Sequence, residues 1–216
     1  VSIDKAEFKG QLAGMLLGDA GIFKSGGKNA YLTIQHTEKQ KEYLLHKKVI
    51  LENLTAINMN EYKGGTYRKN PSTNYRIKTR RHPFYTRLRD IVYKDNHKQI
   101  NKTWLSWLTE EGLAFWYMDD GSLSKSRSYN KSGKYRISSR RIYLNTCDFS
   151  LEENELLCDF VEKKFGIKFY PNKAGEHKGK VYHRLVAGAQ QSNKFFDIIR
   201  PFIIPSMEYK LDMEYQ

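Results

Sequence analysis

Two acidic residues stand out by their settings. In "LAGMLLGDAGIF" (residues 12–23) and again in "LAFWYMDDGSLS" (113–124), an apolar run stops at an aspartate, Asp19 and Asp120. A small residue and strand-like sequence follow each. One aspartate in such a place can simply end a helix. Two, at matching positions of a repeat, point to carboxylates brought together by packed helices. Carboxylates are hard oxygen ligands, suited to divalent cations that also bind phosphate oxygens. Metal-assisted hydrolysis of a phosphodiester needs such a pair of sites, one readying the water and one stabilising the leaving oxygen. That is the chemistry expected here.

The elements that must position the pair are also written twice. A strand pair follows each acid, running through "GIFKSGGKNAYLTIQ", with Gly26 and Gly27 at its turn, and through "GSLSKSRSYNKSGKYRISSRRIYLN", with Ser132 and Gly133 near its tip. "TEKQ" from Thr37 and "SLEE" from Ser150 then fit the capping box of a helix start. A second strand pair comes next: "TYRKN" and "YRIKT" in the first half, "IKFYPNK" and "VYHRLVAG" in the second. A helix closes each half, in "HPFYTRLRDIVY", where Pro83 suits the first helical position, and in "SNKFFDIIRPFI". The expected fold is α+β: two pseudo-symmetric αββαββα repeats, residues 1–95 and 111–216, joined by a packed connector over 96–110. Thr109 is the expected N-cap of the second acid-bearing helix.

Charge identifies the partner. The 216 residues carry 37 Lys+Arg against 24 Asp+Glu, a formal charge of +13, interleaved with 15 Tyr and 11 Phe. Such an excess suits a polyanion, nucleic acid above all, bound through phosphate contacts. Along "YRIKT", basic residues alternate with apolar ones, which gives a sheet one apolar and one cationic face. A membrane-surface role is disfavoured, since no amphipathic basic helix is evident. The apolar run at 12–17 is too short to cross a bilayer. Two cysteines, Cys147 and Cys158, form no disulfide framework and indicate a reducing, intracellular compartment, an organelle (mitochondrion or chloroplast) or a bacterial cytoplasm. "GIFKSGGKNA" lacks the Ser or Thr that a phosphate loop requires after its lysine. His177 and His183 have no suitably spaced acid or cysteine and suit solvent or phosphate contact.

"LAGMLLGDA" and "LAFWYMDDG" resemble the LAGLIDADG motif of the homing endonucleases, in the single-chain form that carries two copies. The repeat plan extends the resemblance over nearly the whole chain, and "RPFIIPSMEYKL" is similar to the ending of yeast mitochondrial single-chain members. The family's eighth motif position is the metal-binding acid, here Asp19 and Asp120, with backbone groups of Gly18 or Ala20 and of Asp119 or Gly121 as candidate further ligands. Asp119 itself falls at the seventh position, normally small. The motif helices of the family pack through small residues. Ala13, Gly14 and Gly18 fit this pattern, whereas Phe115 and Asp119 stand where the second copy should have glycines. The resemblance implies a monomeric, Mg²⁺-dependent endonuclease that cuts both strands of a long, asymmetric double-stranded DNA site and leaves short 3′ overhangs. Mn²⁺ is expected to substitute, and Ca²⁺ to support binding without cleavage.

Family enzymes place a lysine near each active site. Lys98 follows Asp19, and Lys210 follows Asp120, at nearly equal separation once the longer second hairpin is allowed for. The alternative for either is contact with backbone phosphate. Gln35 and Asn145 end matching strands, where similar members hold active-site water; a role in the turn is the alternative. Two cationic sheet faces would form a saddle over the duplex, with strands in the major groove. The side chains expected there are Lys24, Lys28, Tyr31, Arg76, Lys78, Arg80, Lys125, Arg127, Arg136, Arg140, Lys168, Lys173, Tyr182 and Arg184. The rival reading is a non-cleaving regulator or intron maturase, with intron RNA as partner. Such relatives commonly lose a motif acid, and both are present here.

Overall fold

The computed structural model describes residues 4–64, 72–129 and 135–211, with side chains described outside 126–129 and 135–139. Helix α1 (Lys5–Leu17) starts at Asp4, whose carboxylate accepts from the Ala6 N–H at 2.7 Å. It feeds β1 (Gly21–Phe23) and β2 (Tyr31–Thr37), then α2 (Lys41–Glu52), β3 (Ile57–Gly64), β4 (Ser72–Thr79) and α3 (Pro83–Val92). Pro83 takes the first turn of α3, as expected, behind His82, whose ring accepts from the Phe84 N–H. The second half repeats the series with α5 (Glu110–Asp120), β7 (Gly121–Tyr129), β8 (Tyr135–Leu144), α6 (Leu151–Phe165), β9 (Tyr170–His177), β10 (Lys180–Ala187) and α7 (Ala189–Ile199). Thr109 caps α5 by accepting from the Gly112 N–H.

Between the halves lie the short hairpin β5 (Tyr93–Lys94) and β6 (His97–Lys98) and the single turn α4 (Lys102–Leu105). Asp95 and Asn96 make the hairpin turn with φ of 49° and 64°, the left-handed pair that a two-residue loop demands. This small ribbon has one evident consequence: it carries Lys98 back to the end of α1. The expected connector thus begins inside a turn, and Trp104, Leu105 and Leu108 are buried in it.

Both sheets are antiparallel with the same topology, β1-β2-β4-β3 and β7-β8-β10-β9. One apolar cluster runs through both halves. At its centre α1 and α5 are buried on nearly every side, from Phe8 to Leu17 and from Gly112 to Met118, as a helix at the middle of a core must be. They touch backbone to backbone. A Cβ at Gly14 would run into the Gly112 carbonyl, and one at Gly112 into the carbonyl of Gly10. Gly112 therefore does the work that Phe115 could not, one turn earlier. Phe115 turns into the first half and stacks on Tyr43, centroids 6.1 Å apart.

The local expectations fare unevenly. Thr37 makes no capping hydrogen bond; it ends β2, paired with Asn74, and a 3₁₀ turn over Glu38–Gln40 leads into α2. The Ser150–Glu153 capping box does form, with both reciprocal bonds. The partner of β4 is Ile57–Gly64, while "TYRKN" lies outside the described residues, as does the Ser132–Gly133 tip. Among the described residues, no helix is long and apolar enough to cross a membrane.

Candidate active site

Asp19 follows α1 and Asp120 ends α5, so the glycine-packed helix pair delivers both acids to one place. A cleft of about 300 Å³ is lined by both, together with Lys98, Asn145 and Asp148. Burial and the neighbouring charges of Asp19 and Asp119 push the Asp120 carboxyl up to about 7. Burial, then Asp119, also raises Asp19, although 41% of its side chain is exposed, while the Lys47 ammonium opposes the rise. Two carboxyls that both resist ionisation in one cleft form a donor set that a divalent cation would relieve.

The two lysines occupy matching places. The Lys98 ammonium donates to the carbonyls of Leu16 (2.6 Å), Ala20 (3.0 Å) and Gly18 (3.4 Å). That of Lys210 donates to Met118 (2.6 Å), Asp119 and Gly121 (both 3.1 Å). Each closes the unpaired carbonyls at the end of its helix, where the dipole favours a cation. Burial lowers the pKa of both, against the pull of the nearby acids. The backbone oxygens considered as metal ligands, Gly18 or Ala20 and Asp119 or Gly121, are thus already shared with ammonium groups.

The seventh motif positions face one another. A Cβ at Gly18 would collide with the Asp119 carboxylate, which has no solvent exposure. One Asp119 oxygen accepts from the Asp19 N–H at 3.1 Å; the other takes the buried Lys47 ammonium at 2.5 Å. His36 stands between, its Nε2 3.1 Å from the Lys47 nitrogen and its Nδ1 3.6 Å from an Asp19 oxygen. Burial and Lys47 lower its pKa to about 4, so the ring is neutral near pH 7. Among the described residues, Asp19, His36 and Asp119 are the acid–imidazole group close enough to share an ion. The Lys47 ammonium already supplies positive charge there.

His36 and Lys47 were not nominated from sequence, nor was Asp148, which lines the cleft and whose charge favours the Lys98 ammonium. A signal existed for Asp148: it follows Asn145 at the interval that separates Glu38 from Gln35.

On the first sheet, Tyr31, Gln35, Arg76 and Lys78 share the face opposite Ile34, Tyr75 and Ile77. Arg76 donates to Gln35 at 2.9 Å and stacks on Tyr62, and Lys78 lies 4.2 Å from the Tyr31 ring. Arg80 continues this side and is exposed, as are Lys24 and Lys28 in the β1–β2 loop. A cleft joins this surface to Asp19 and Lys98. On the second sheet, Arg184 lies over Tyr143 at 4.2 Å, Lys168 lies 5.5 Å from the Tyr170 ring, and Tyr182 keeps the parity of Arg184. Lys173 is exposed but pairs with Glu176 at 2.8 Å. Lys125 and Arg140 pair across β7 and β8 on the side of Leu123 and buried Ile142, so the open face carries Arg141 instead. Arg127 and Arg136 lie on the same strands, and their side chains fall outside the described set. Asn145 is exposed and lines the cleft with Asp120, and its backbone N–H donates to the Asp120 carbonyl.

Comparison with known proteins matches this geometry. The model of the LAGLIDADG DNA endonuclease family fits residues 9–195. A probable intron-encoded endonuclease of Wickerhamomyces canadensis is 30% identical over 206 residues, 93% of this chain and 81% of that one. The homing endonuclease I-WcaI, solved bound to its DNA recognition sequence, superposes with a TM-score of 0.80 at 24% identity, over 98% of this chain and 88% of its own. I-SmaMI, solved on uncleaved DNA with calcium ions, shares the fold more distantly: TM-score 0.58, 11% identity, 94% of this chain and 88% of its own.

Proposed function

We propose, from the premise that this chain belongs to the LAGLIDADG DNA endonuclease family and is a site-specific DNA endonuclease, that Asp19 and Asp120 hold Mg²⁺ and cut one strand each. The observation that carries this reading is the meeting of both acids in one cleft that also holds Lys98. Two hard-oxygen donors at the ends of packed helices suit Mg²⁺, which binds through one or two carboxylates and shares phosphate oxygens. When bound, such ions supply an activated water and charge stabilisation for the leaving oxygen.

The chain's own groups do the rest. Lys98 and Lys210 fix the helix ends that carry the acids and set positive charge beside the scissile phosphates. Arg76 and Lys78, and Arg141 and Arg184 on the other sheet, track the duplex, arginine for bidentate base contacts and lysine for phosphate. Because the halves differ in sequence, the target is long and asymmetric, and one copy of the chain suffices to cover it. Ca²⁺, which was present in the uncleaved I-SmaMI complex, supports binding here without cleavage.

The test is to select duplexes from a randomised pool in Ca²⁺ and then add Mg²⁺ to the selected sequence. Double-strand cleavage is expected, lost in Asp120→Ala and Asp19→Ala while Ca²⁺-supported binding persists. Specific binding with no cleavage by the wild type would overturn the reading and point to a maturase or regulator.

A further inference from the structure

We propose that Asp119, Lys47 and His36 form a positioning device for Asp19, present in one half only, which gives the enzyme unequal control over its two strand cleavages. The inference rests on the endonuclease reading above.

The cluster is built around Asp19 from two sides. Asp119 reaches across the helix interface from α5, through the gap left by Gly18, and accepts the Asp19 N–H. Its second oxygen holds Lys47, which rises from α2 and is fully buried. The Lys47 ammonium has only protons to give, so His36 must accept it at Nε2 and carry its own proton on Nδ1. That N–H faces the Asp19 carboxylate. One network therefore holds the backbone of this catalytic residue and sets an N–H 3.6 Å from its carboxylate. A buried ion pair that served stability alone has no reason to end there.

The second half lacks the device. The seventh position that would mirror Asp119 is Gly18, which has no side chain to send across. The mate of His36 is Thr146, hydrogen-bonded to buried Asn154, whose amide turns to the carbonyls of Ser150 (2.8 Å) and Phe149 (3.2 Å) rather than to Asp120. The first half thus joins an acid on α5, a base on α2 and an imidazole on β2, and the acid and the imidazole, linked by the base, both face Asp19. Their net charge is zero with His36 neutral, so the set can be buried as a unit.

Strand-resolved cleavage tests this. A supercoiled plasmid bearing the selected target, and a duplex with each strand labelled separately, are cut in a Mg²⁺ series by the wild type and by Lys47→Met/Asp119→Leu. That double variant replaces the ion pair by apolar groups of similar volume, an exchange buried pairs commonly tolerate. One strand should be cut about 10- to 100-fold more slowly, the scale of a small misplacement of a catalytic group, while the other strand keeps its rate. Nicked circles then accumulate, and the Mg²⁺ concentration for half-maximal cutting rises for the slowed strand alone. Equal slowing of both strands, or of neither, overturns the proposal. His36→Gln leaves the ion pair in place and must show the same strand bias, so the test survives if the double variant fails to fold. A wild type that cuts neither strand overturns the endonuclease reading itself, and this inference with it.

Discussion

The same strand end is finished in two ways within one molecule. Behind Gln35 the first half buries a charged pair, Lys47 with Asp119, and an imidazole between them. Behind Asn145 the second half buries a threonine and an asparagine that satisfy one another and the start of α6. Both arrangements fill the space beneath an acid-bearing helix. The difference follows from one position of the repeat, glycine at 18 and aspartate at 119. Once an acid crosses the interface, the half that receives it must supply a cation, because a lone buried carboxylate is far more costly than a paired one. The half that receives nothing stays neutral. A repeat can thus keep its fold and its two catalytic acids while the supports beneath them diverge.

The sharpest way to break this comparison is to truncate one support in each half. Lys47→Met strands a buried Asp119 carboxylate and should cost about 3–5 kcal/mol. Asn154→Leu strands only neutral groups, the Thr146 hydroxyl and the carbonyls of Thr146, Phe149 and Ser150, and should cost about 1–3 kcal/mol. Urea unfolding of the metal-free protein measures both. Equal losses would mean that the first-half cluster is not held by its charge.

Much of this was legible before the structure, and the reason is repetition. A doubled motif turned two unremarkable aspartates into a pair, and the same bookkeeping reached Lys98 and Lys210, which do cap matching helix ends. Features that depend on one half alone were not legible. Lys47 and Asp119 are 72 residues apart with no mate in the other repeat to draw attention to them. Phe115 looked like an obstacle to helix packing because the alignment set it opposite Gly14; the real contact is Gly112, whose role depends on the crossing point and not on the motif. In "SSRRIYL", sequence shows two adjacent arginines but not which one faces out, since that parity is fixed by pairing with β7. The strand Ile57–Gly64 was missed because its outward side is Asn58 and Asn60, residues depleted in strands, and only Ile57 and Met59 mark its inner one.

A second contrast concerns the acids. Lys47 opposes the rise of Asp19, whereas Asp120, offset chiefly by Lys98 and Lys210, is pushed up to about 7. A carboxyl raised in the fold contributes stability as its neutral form; that contribution is fully present below its ordinary value of 3.8 and is lost as pH rises through about 7. Metal-free protein should therefore melt lower at pH 8 than at pH 6, by about the 2–4 °C that 1 kcal/mol moves in a chain of this size. Asp120→Asn should flatten that slope, and Ca²⁺ should restore the wild-type melting temperature at the higher pH. A slope unchanged by Asp120→Asn would remove Asp120 from the account.

The smallest effect separates the two helix starts. "TEKQ" and "SLEE" carry the same signature, yet only Ser150 and Glu153 bond reciprocally, at 3.2 Å and 2.8 Å. Thr37 is held in β2 by its pairing with Asn74, so the chain turns through 3₁₀ geometry before α2 begins, and the hydroxyl finds no helical N–H. Glu153 gives the second half a further tie, because its other oxygen accepts from the Ile100 N–H at 2.8 Å and fastens α6 to the connector. Ser150→Ala should therefore lower stability by about 1 kcal/mol, the usual worth of an N-cap, and Thr37→Ala by a few tenths at most. Matched urea curves decide it. A full cap's loss at Thr37 would show that the capping box forms in solution in both halves, and the helix starts would then be as alike as their sequences.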